Sequence, residues 1–195
     1  MTFNIVVTGI GGQGVLTVAE VIAQAALAAG HDVKTAELHG LSLRFGPLEC
    51  HVRFGKKVLS PLVPAGRADL IFALERLESL RALEFAGKKT TVLFDTRAAV
   101  PTLMSIKKQK YPSEKETENT IKKFSKKGIH VPATKAVKKA GLDPIMANIY
   151  LLGRAVAEGV LPLKKEHLLK GLEMVVPPKA LETNKKVFEM GTASI

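Results

Sequence analysis

The chain has 195 residues, enough for one well-buried domain and short for two, so we expect a single domain over residues 1–195. Its composition, 46% hydrophobic and 24% charged, is typical of a globular protein, and its single cysteine, Cys50, excludes an internal disulfide or a cysteine-ligated cluster built by this chain alone. The net charge of +11 favours acidic partners, and the lack of a signal-like N-terminus or of an apolar run near ~20 residues favours a cytoplasmic protein that makes no membrane contact.

The first predicted element is a strand that ends in a glycine-rich turn. The strand begins at Ile5, a helix begins at Val15, and the sequence GIGGQG between them matches the G-x-G-x-x-G pattern. Such glycines permit a sharp turn, close approach of a ligand and tight packing of the helix on the strand, and the helix N-terminus favours an anion. Tight packing alone also explains them, so both interpretations stand. The candidate cofactor-binding residues are Gly9, Gly11, Gly12, Gln13 and Gly14.

A strand–helix–strand unit follows the turn. Apolar residues repeat at helical spacing from Val15 to Ala29, and Gly30 supplies a C-terminal stop. The next strand, 32–37, would be parallel to the first through a right-handed crossover. Glu37 ends it where dinucleotide-binding folds place an acid on the ribose. One hypothesis is therefore a free-standing oxidoreductase that binds NAD or FAD at the turn; the alternative is that Glu37 is a surface acid.

The loop Leu38–Pro47 lies at the carboxyl end of this strand, on the edge of the sheet where ligands gather in α/β folds. Its polar residues His39, Ser42 and Arg44 are placed to face the glycine turn. For His39 we favour a structural role. Arg44 is able to pair with an anion, although a structural role is equally supported, and it joins the candidate cofactor-binding residues.

The next segment predicts an added β-hairpin. Residues 49–54 alternate as in a strand, 55–57 form a turn, and Val58–Leu59 resume the pattern. The hairpin would add antiparallel strands, so the fold class is α/β with a mixed, mostly parallel sheet. The following elements are a strand at 68–74, a helix at 75–85 and a strand at 90–94.

Few side chains in the chain are candidates for catalysis. Cys50 lies in an alternating strand, which favours a buried apolar role over a nucleophile. Glu75 and Glu78 begin a helix, where polar residues favoured by the dipole are more common than an acid/base pair. The five histidines show no zinc-motif spacing. We therefore expect no catalytic residue and no metal site.

The segment from Lys107 to Lys139 carries eleven lysines against three glutamates. This concentration of positive charge favours an acidic partner, such as a phosphate-bearing ligand or an acidic electron carrier. A solvated lysine-rich face is the simpler interpretation. Nucleic acid is disfavoured because the segment lacks arginine and has only Tyr111 and Phe124 for stacking.

The remaining predicted elements complete the chain. They are a helix at 114–127 with a capping box at Ser113 and Glu116, a strand at 129–131, a short helix through Ala140, a helix at 145–158 capped by Asp143–Pro144, and two helices between Pro162 and Met190 separated by Pro177–Pro178.

Four blocks of the chain resemble one family and occur in its order. They are GIGGQGVLT at the turn, ELHGLSLRFG in the loop, HVRFGKKVLSPLVPAGRADLIFALERLESLR after it, and NIYLLG at 148–153. Together they resemble the gamma domain of 2-oxoacid:ferredoxin oxidoreductases, and within it the beta subunit of indolepyruvate ferredoxin oxidoreductases.

This resemblance implies a Rossmann-like three-layer α/β/α fold and a place as a small subunit in a larger enzyme. Such enzymes oxidatively decarboxylate a 2-oxoacid, here indolepyruvate or another arylpyruvate, to an acyl-CoA. It also implies that thiamine diphosphate and iron–sulfur clusters are held by larger catalytic subunits, with coenzyme A as co-substrate and ferredoxin as electron acceptor. The isolated chain is then expected to be inactive. The sequence leaves open whether it forms a homodimer when its partners are missing.

One position departs from the family pattern. The family usually has Arg-Gly-Gly where this chain has Arg44, Phe45 and Gly46. Phenylalanine enters positive φ less readily than glycine, so this loop is expected to close differently. Contacts that relatives make there do not transfer directly to this chain.

Overall fold

The computed structural model describes residues 2–39, 46–100 and 110–193, where six strands form one sheet with helices on both faces. The strands are β1 (Thr2–Ile10), β2 (Asp32–His39), β3 (Pro47–Gly55), β4 (Leu70–Ala73), β5 (Thr91–Asp95) and β6 (Lys127–Val131). The helices are α1 (Val15–Ala28), α2 (Arg76–Arg81), α3 (Glu114–Phe124), α4 (Ala133–Lys139), α5 (Ala147–Ala157), α6 (Lys165–Val175) and α7 (Pro178–Ala193), with 3₁₀ turns at Ala82–Phe85 and Pro144–Met146.

The sheet is mixed and mostly parallel, as the sequence predicts. Its strand order is β2-β3-β1-β4-β5-β6. β1, β4, β5 and β6 pair in parallel, whereas β3 pairs antiparallel with both β1 and β2. The carboxyl ends of the parallel strands therefore share one edge with the start of β3. The glycine turn lies on this carboxyl edge.

The predicted β-hairpin is wrong in its second strand. Residues 49–54 do form an antiparallel strand, but Val58 and Leu59 do not belong to any strand of the sheet. Both edges of β3 are already paired, one with β1 and the other with β2, so no edge is left for a returning strand. Instead, the backbone N–H of Val58 donates to the carboxylate of Asp32 at 2.7 Å.

Insertion of β3 also changes the first strand–helix–strand unit. β1 and β2 run in the same direction, as predicted, but β3 lies between them and they share no hydrogen bonds. β3 suits this central position because alternate apolar side chains point toward α1. These side chains are Leu48, Cys50, Val52 and Phe54, all buried in the same core as α1.

Two hydrophobic cores lie on opposite faces of the sheet and give the three-layer arrangement. Along β1, Ile5 and Val7 belong to the larger core with α1, α4, α5, α6 and α7. Val6 points the other way, into a smaller core with Ala82 and with Ile121 of α3. β4 is buried on both faces, as expected for a central strand of a parallel sheet.

Local start signals place several helices where the sequence predicts. Ser113 and Glu116 form the predicted capping box of α3, and Asp143 caps the turn that leads into α5. α3 ends at Phe124, three residues earlier than predicted, because Lys127 already belongs to β6. Within the described ranges, no helix has the length and apolar character needed to cross a membrane.

α5 and α7 pack closely against each other at two glycines, Gly153 of α5 and Gly191 of α7. A Cβ atom added at Gly191 would lie 2.1 Å from the carbonyl oxygen of Tyr150 and 3.1 Å from Cα of Gly153. Backbone atoms of a packed helix cannot move aside individually, so the helices must separate to accept a methyl group. The close crossing therefore depends on glycine.

We predict that Gly191→Ala lowers the free energy of unfolding by about 2 kcal/mol, because the clash outweighs the gain of about 1 kcal/mol from the better helix former. Urea unfolding measures the change. Lys186→Ala, an exposed position on α7, is the control and should shift stability by no more than about 0.5 kcal/mol. Equal stability of Gly191→Ala and wild type would contradict the claim that the close packing of α5 and α7 depends on Gly191.

Candidate functional site

The glycine turn joins β1 to α1 at the carboxyl edge. Gly12 and Gly14 have φ values of 96° and 79°, which residues with a side chain adopt only with strain. Gly14 is the N-cap of α1, and a Cβ atom there would lie 2.2 Å from Nδ2 of Asn148. Glycine is thus required for conformation at Gly12, and for both conformation and space at Gly14.

Gln13 fills the inside of the turn with its own side chain. Its Oε1 accepts a hydrogen bond from the backbone N–H of Ile10 at 2.8 Å, and a Cβ atom at Gly9 would lie 2.8 Å from that oxygen. Gly9 therefore makes room for Gln13. The Gln13 side chain is buried, and its Nε2 has no hydrogen-bond partner among the residues described. A buried amide donor without a partner is uncommon and is available to an acceptor that enters the turn.

Some backbone N–H groups of the turn are hydrogen-bonded within the protein, whereas those at the start of α1 have no partner within the helix. Ile10 donates to Gln13, Gln13 donates back to the carbonyl of Ile10 at 3.0 Å, and Gly11 donates to the carbonyl of Gly46 at 2.9 Å. The first N–H groups of α1 lack partners within the helix, and its N-cap, Gly14, has no side chain to cap them. The positive end of this helix is therefore open to an anion.

A groove of about 310 Å³ lies beside the start of α1. The polar side chains among its lining residues are Thr17, Asn148 and Asn184, and Nδ2 of Asn184 donates to the carbonyl of Ala180 at 2.8 Å. Asn148 is buried, its Oδ1 accepts from the backbone N–H of Ile149 at 2.7 Å, and its Nδ2 lies 3.5 Å from the carbonyl of Gly14. The groove therefore offers both amide groups and apolar surface. The apolar walls are formed by Ile145, Met146, Val175, Val176, Pro177 and Ala180.

Among the candidate cofactor-binding residues, the structure brings the five in the turn together. Arg44, Ser42 and Phe45 lie outside the described residues, and so does the His39 side chain. Gly46, the first described residue after that loop, accepts the hydrogen bond from Gly11. Gly46 therefore lies directly beside the turn, and a role for Arg44 there stays a prediction.

Glu37 does not have the placement expected of a ribose-binding acid. It lies on β2, which is separated from β1 by β3. Because neighbouring strands lie ~4.8 Å apart, the insertion adds about one strand spacing between Glu37 and the glycine turn. The geometry thus favours the interpretation of Glu37 as a surface acid, and Glu37 is exposed.

Glu75 caps a helix, as the sequence favours. It is fully buried, and its carboxylate accepts hydrogen bonds from the N–H groups of Leu77 and Glu78 at the start of α2 and from that of Ala99. The Tyr111 hydroxyl also donates to it, and burial and this carboxylate raise the pKa of Tyr111. Glu75 is fully occupied in holding α2 against the residues near 99 and 111.

Glu78 has a different environment from Glu75. It lines a polar groove of about 360 Å³ at the carboxyl edge, together with Thr8, Glu49 and Arg81. Its carboxylate pairs with Arg81 at 2.7 Å. Burial nevertheless raises the pKa of Glu78 to about 7, since desolvation disfavours the charged form more than Arg81 favours it.

Cys50 and His51 have structural surroundings. Cys50 is buried, and burial raises the pKa of its thiol to about 12, so it is an apolar side chain as predicted. His51 is buried, with Nδ1 accepting from the backbone N–H of Val63 at 3.0 Å and Nε2 lying 2.9 Å from Glu49. No three side chains of His, Cys, Asp or Glu gather as metal ligands in residues 2–39, 46–100 and 110–193.

Sequence reasoning missed the groove-lining amides. Asn148 lies 134 residues after Gly14 in the chain, and no local pattern predicts that the two meet. The one available signal was the NIYLLG block, where a polar residue begins an otherwise apolar helix. Thr17 ends the GIGGQGVLT block at the turn, whereas Asn184 carries no signal of its own.

The fold and the turn define an α/β protein with a Rossmann-like start whose turn is closed by a glutamine. The pyruvate ferredoxin/flavodoxin oxidoreductase family matches residues 4–194. The chain is 38% identical over 190 residues to indolepyruvate oxidoreductase subunit IorB of Pyrococcus horikoshii, covering 97% of this chain and 94% of that protein. The protein of the same name from Archaeoglobus fulgidus is 38% identical over 191 residues, covering 98% and 94%.

Solved structures have the same fold. The gamma subunit of a keto/oxoacid ferredoxin oxidoreductase from Geobacter sulfurreducens matches with a TM-score of 0.69 and 22% identity, over 98% of this chain and 96% of that one. A 2-oxoglutarate:ferredoxin oxidoreductase from Magnetococcus marinus matches with a TM-score of 0.75 and 18% identity, over 98% of this chain and 30% of that one. The chain belongs to the pyruvate ferredoxin/flavodoxin oxidoreductase family, which confirms the resemblance of the four sequence blocks.

We predict that Glu78 makes stability fall as pH rises toward neutrality. A carboxyl with a raised pKa stabilises the folded state fully below its unfolded pKa, and this contribution is lost as pH rises to the folded pKa of about 7. Between pH 5 and 7.5 the loss should be about 2–3 kcal/mol in urea unfolding. Glu78→Gln should remove this dependence, whereas Glu84→Gln, at an exposed position in the same groove, should retain it. Identical pH profiles for wild type and Glu78→Gln would contradict the assignment.

Proposed function

We propose that this chain is the small subunit of a cytoplasmic 2-oxoacid:ferredoxin oxidoreductase that acts on indolepyruvate or a related arylpyruvate. The assembly would oxidatively decarboxylate the oxoacid to an acyl-CoA and pass the electrons to ferredoxin. The observation that carries the proposal is the match over nearly full length to relatives named as indolepyruvate oxidoreductase subunits. We also propose that residues 1–195 form one domain.

The chemistry is assigned to larger partner subunits. One cysteine is too few to hold an iron–sulfur cluster, and the sequence contains no pattern resembling a thiamine diphosphate motif. The side chains of this chain therefore do not fit either group. The match covers 30% of the Magnetococcus marinus chain, which supports a small unit that works with the rest of an assembly. We also propose that the chain forms a homodimer when its partners are absent.

Coenzyme A fits the site at the glycine turn better than a nicotinamide or flavin dinucleotide does. The open N-terminus of α1 suits a phosphate, and the Gln13 amide lacks a partner among the described residues. The groove beside the turn combines the Asn148 and Asn184 amides with an apolar wall, which suits a pantetheine arm. A dinucleotide would lack the carboxylate that binds its ribose, because β3 separates Glu37 from the turn. Coenzyme A would supply the thiol that accepts the acyl group, and this chain would orient it.

We predict that the tagged chain, isolated without oxygen from its native cytoplasm, co-purifies with a larger cluster-bearing chain. The eluate should reduce a viologen dye in the presence of an arylpyruvate and coenzyme A, whereas the chain alone should not. Mass spectrometry and the dye assay provide the measurement. A lone chain that retains a nucleotide would instead support the free-standing oxidoreductase.

A charge placed beside the turn should test the coenzyme A site. Leu16, in the first turn of α1, and Leu27, in its last turn, are both exposed. We predict that Leu16→Glu raises the KM for coenzyme A about tenfold in the assembled enzyme, because its carboxylate repels a phosphate at the helix N-terminus.

Leu27→Glu is the matched control, since it adds the same charge at the opposite end of the same helix. Its KM for coenzyme A should stay within about twofold of wild type. Gel filtration should show the same assembly for both variants. An unchanged KM in Leu16→Glu would exclude coenzyme A from the turn.

A further inference from the structure

The starts of β5 and β6 bring two lysine-rich turns together at the amino edge of the sheet, opposite the glycine turn. Thr91 of β5 pairs with Lys127 of β6. Just before them, the backbone N–H of Lys126 donates to the carbonyl of Thr90 at 2.9 Å. Lys88 and Lys89, the two residues before Thr90 in the chain, therefore lie near the end of α3.

The lysines of these two turns and of the last turn of α3 form what we call the basic corner. All of these lysines are exposed to solvent. Only Lys127 has an ion pair among the described residues, with Glu158 at 3.1 Å. The adjoining loop adds exposed Arg67, because Ala68 donates to the carbonyl of Phe85 just before the first turn. The basic corner consists of Lys88, Lys89, Lys122, Lys123, Lys126 and Lys127.

Phe124 stands among these lysines with 54% of its surface exposed. It is the last residue of α3, between Lys123 and Ser125. The inward position of this helix end is already filled by Ile121, which is fully buried. Phe124 is therefore not needed in the core, and its exposed ring is accessible to a molecule that binds at the corner.

Helix chemistry explains only part of the corner. Lys122 and Lys123 lie in the last turn of α3, where cations favourably meet the negative end of the helix dipole. Lys127, on an edge strand, also discourages strand-to-strand association. Neither reason applies to Lys88, Lys89 or Lys126, which lie outside both helices and strands.

We propose that the basic corner docks a small acidic electron-carrier protein, with the lysines steering its approach and Phe124 as the apolar contact. The proposal rests on the proposed function, in which the assembly delivers electrons to such a carrier. Lysine is depleted at the cores of permanent interfaces, whereas unpaired surface charge accelerates transient encounters. A carrier that must leave after each turnover needs this kind of surface.

A nucleic acid fits the corner less well than an acidic protein. Backbone phosphates are recognised by arginine forks and helix N-termini, and bases by several stacked aromatic rings. The corner has one nearby arginine, a helix C-terminus and one exposed ring. Tyr111, the other aromatic residue of the segment, is bonded to Glu75 and lies partly buried.

The test compares two triple variants within the assembled oxidoreductase. The corner variant is Lys122→Gln, Lys123→Gln and Lys126→Gln; the control is Lys34→Gln, Lys56→Gln and Lys57→Gln, which removes three exposed charges near β2 and the end of β3. The electron acceptor is a purified ferredoxin whose own sequence is acidic, at low ionic strength. A viologen dye, which needs no docking surface, reports the chemistry separately.

The corner variant should raise the KM for ferredoxin about tenfold, with dye reduction unchanged, and the control should stay within about twofold of wild type. High salt should abolish the difference, and Phe124→Ser should raise the same KM without changing the salt dependence. Equal KM values in the two triple variants would overturn the proposal. So would binding of a labelled oligonucleotide that the corner variant loses while its KM for ferredoxin is unchanged.

If wild type shows no oxoacid-dependent dye reduction, the proposed function fails. Docking is then decided by direct binding of the same ferredoxin to the full chain. A dissociation constant raised about tenfold in the corner variant alone would support docking, and equal affinities would overturn it.

Discussion

The arrangement at the glycine turn depends on one partly buried hydrogen bond, from the N–H of Ile10 to Oε1 of Gln13. It closes the turn from inside, and Gly9 leaves the room that the Gln13 side chain needs. The start of α1 is then fixed against Asn148 at the start of α5. A substitution at Gly9 would displace Gln13, and the helix end would lose its position relative to the groove.

The second constraint is the place of β3. By pairing along the whole length of both β1 and β2, it converts a fold that begins like a dinucleotide-binding domain into a different one. The strand that would bear the ribose acid moves outward, and Gly46, just before β3, contacts the turn at Gly11. The glycine pattern is thus retained while its usual partner is lost. This explains why a G-x-G-x-x-G match alone does not identify a dinucleotide site.

The elements were largely predictable from the sequence because their signals are local. A capping box at Ser113, a proline after Asp143 and helical apolar spacing after Val15 each act within a few residues. The strand order was not predictable in this way, because an alternating strand such as β3 fits between two strands as well as at an edge. The contact of Asn148 with Gly14 joins residues 134 positions apart, and only the packing of α5 beside α1 creates it. For the candidate site, the sequence indicated the turn but not the groove.

The same reasoning applies to the positive charge. In the sequence, the lysines from 107 to 139 form one segment, whose average suggests a solvated face. In the fold the segment divides, because Lys110 pairs with Glu116 at the start of α3 while Lys122, Lys123 and Lys126 lie at the other end. Pairing of β5 with β6 then adds Lys88 and Lys89, which are distant in sequence. The two edges of the sheet thus differ in chemistry. The carboxyl edge is shaped by buried amides and carboxylates, and the amino edge carries exposed lysines beside the exposed ring of Phe124. A shaped edge selects a small ligand by fit, whereas a charged corner attracts a protein without holding it, so the two surfaces suit different steps of one electron-transferring assembly.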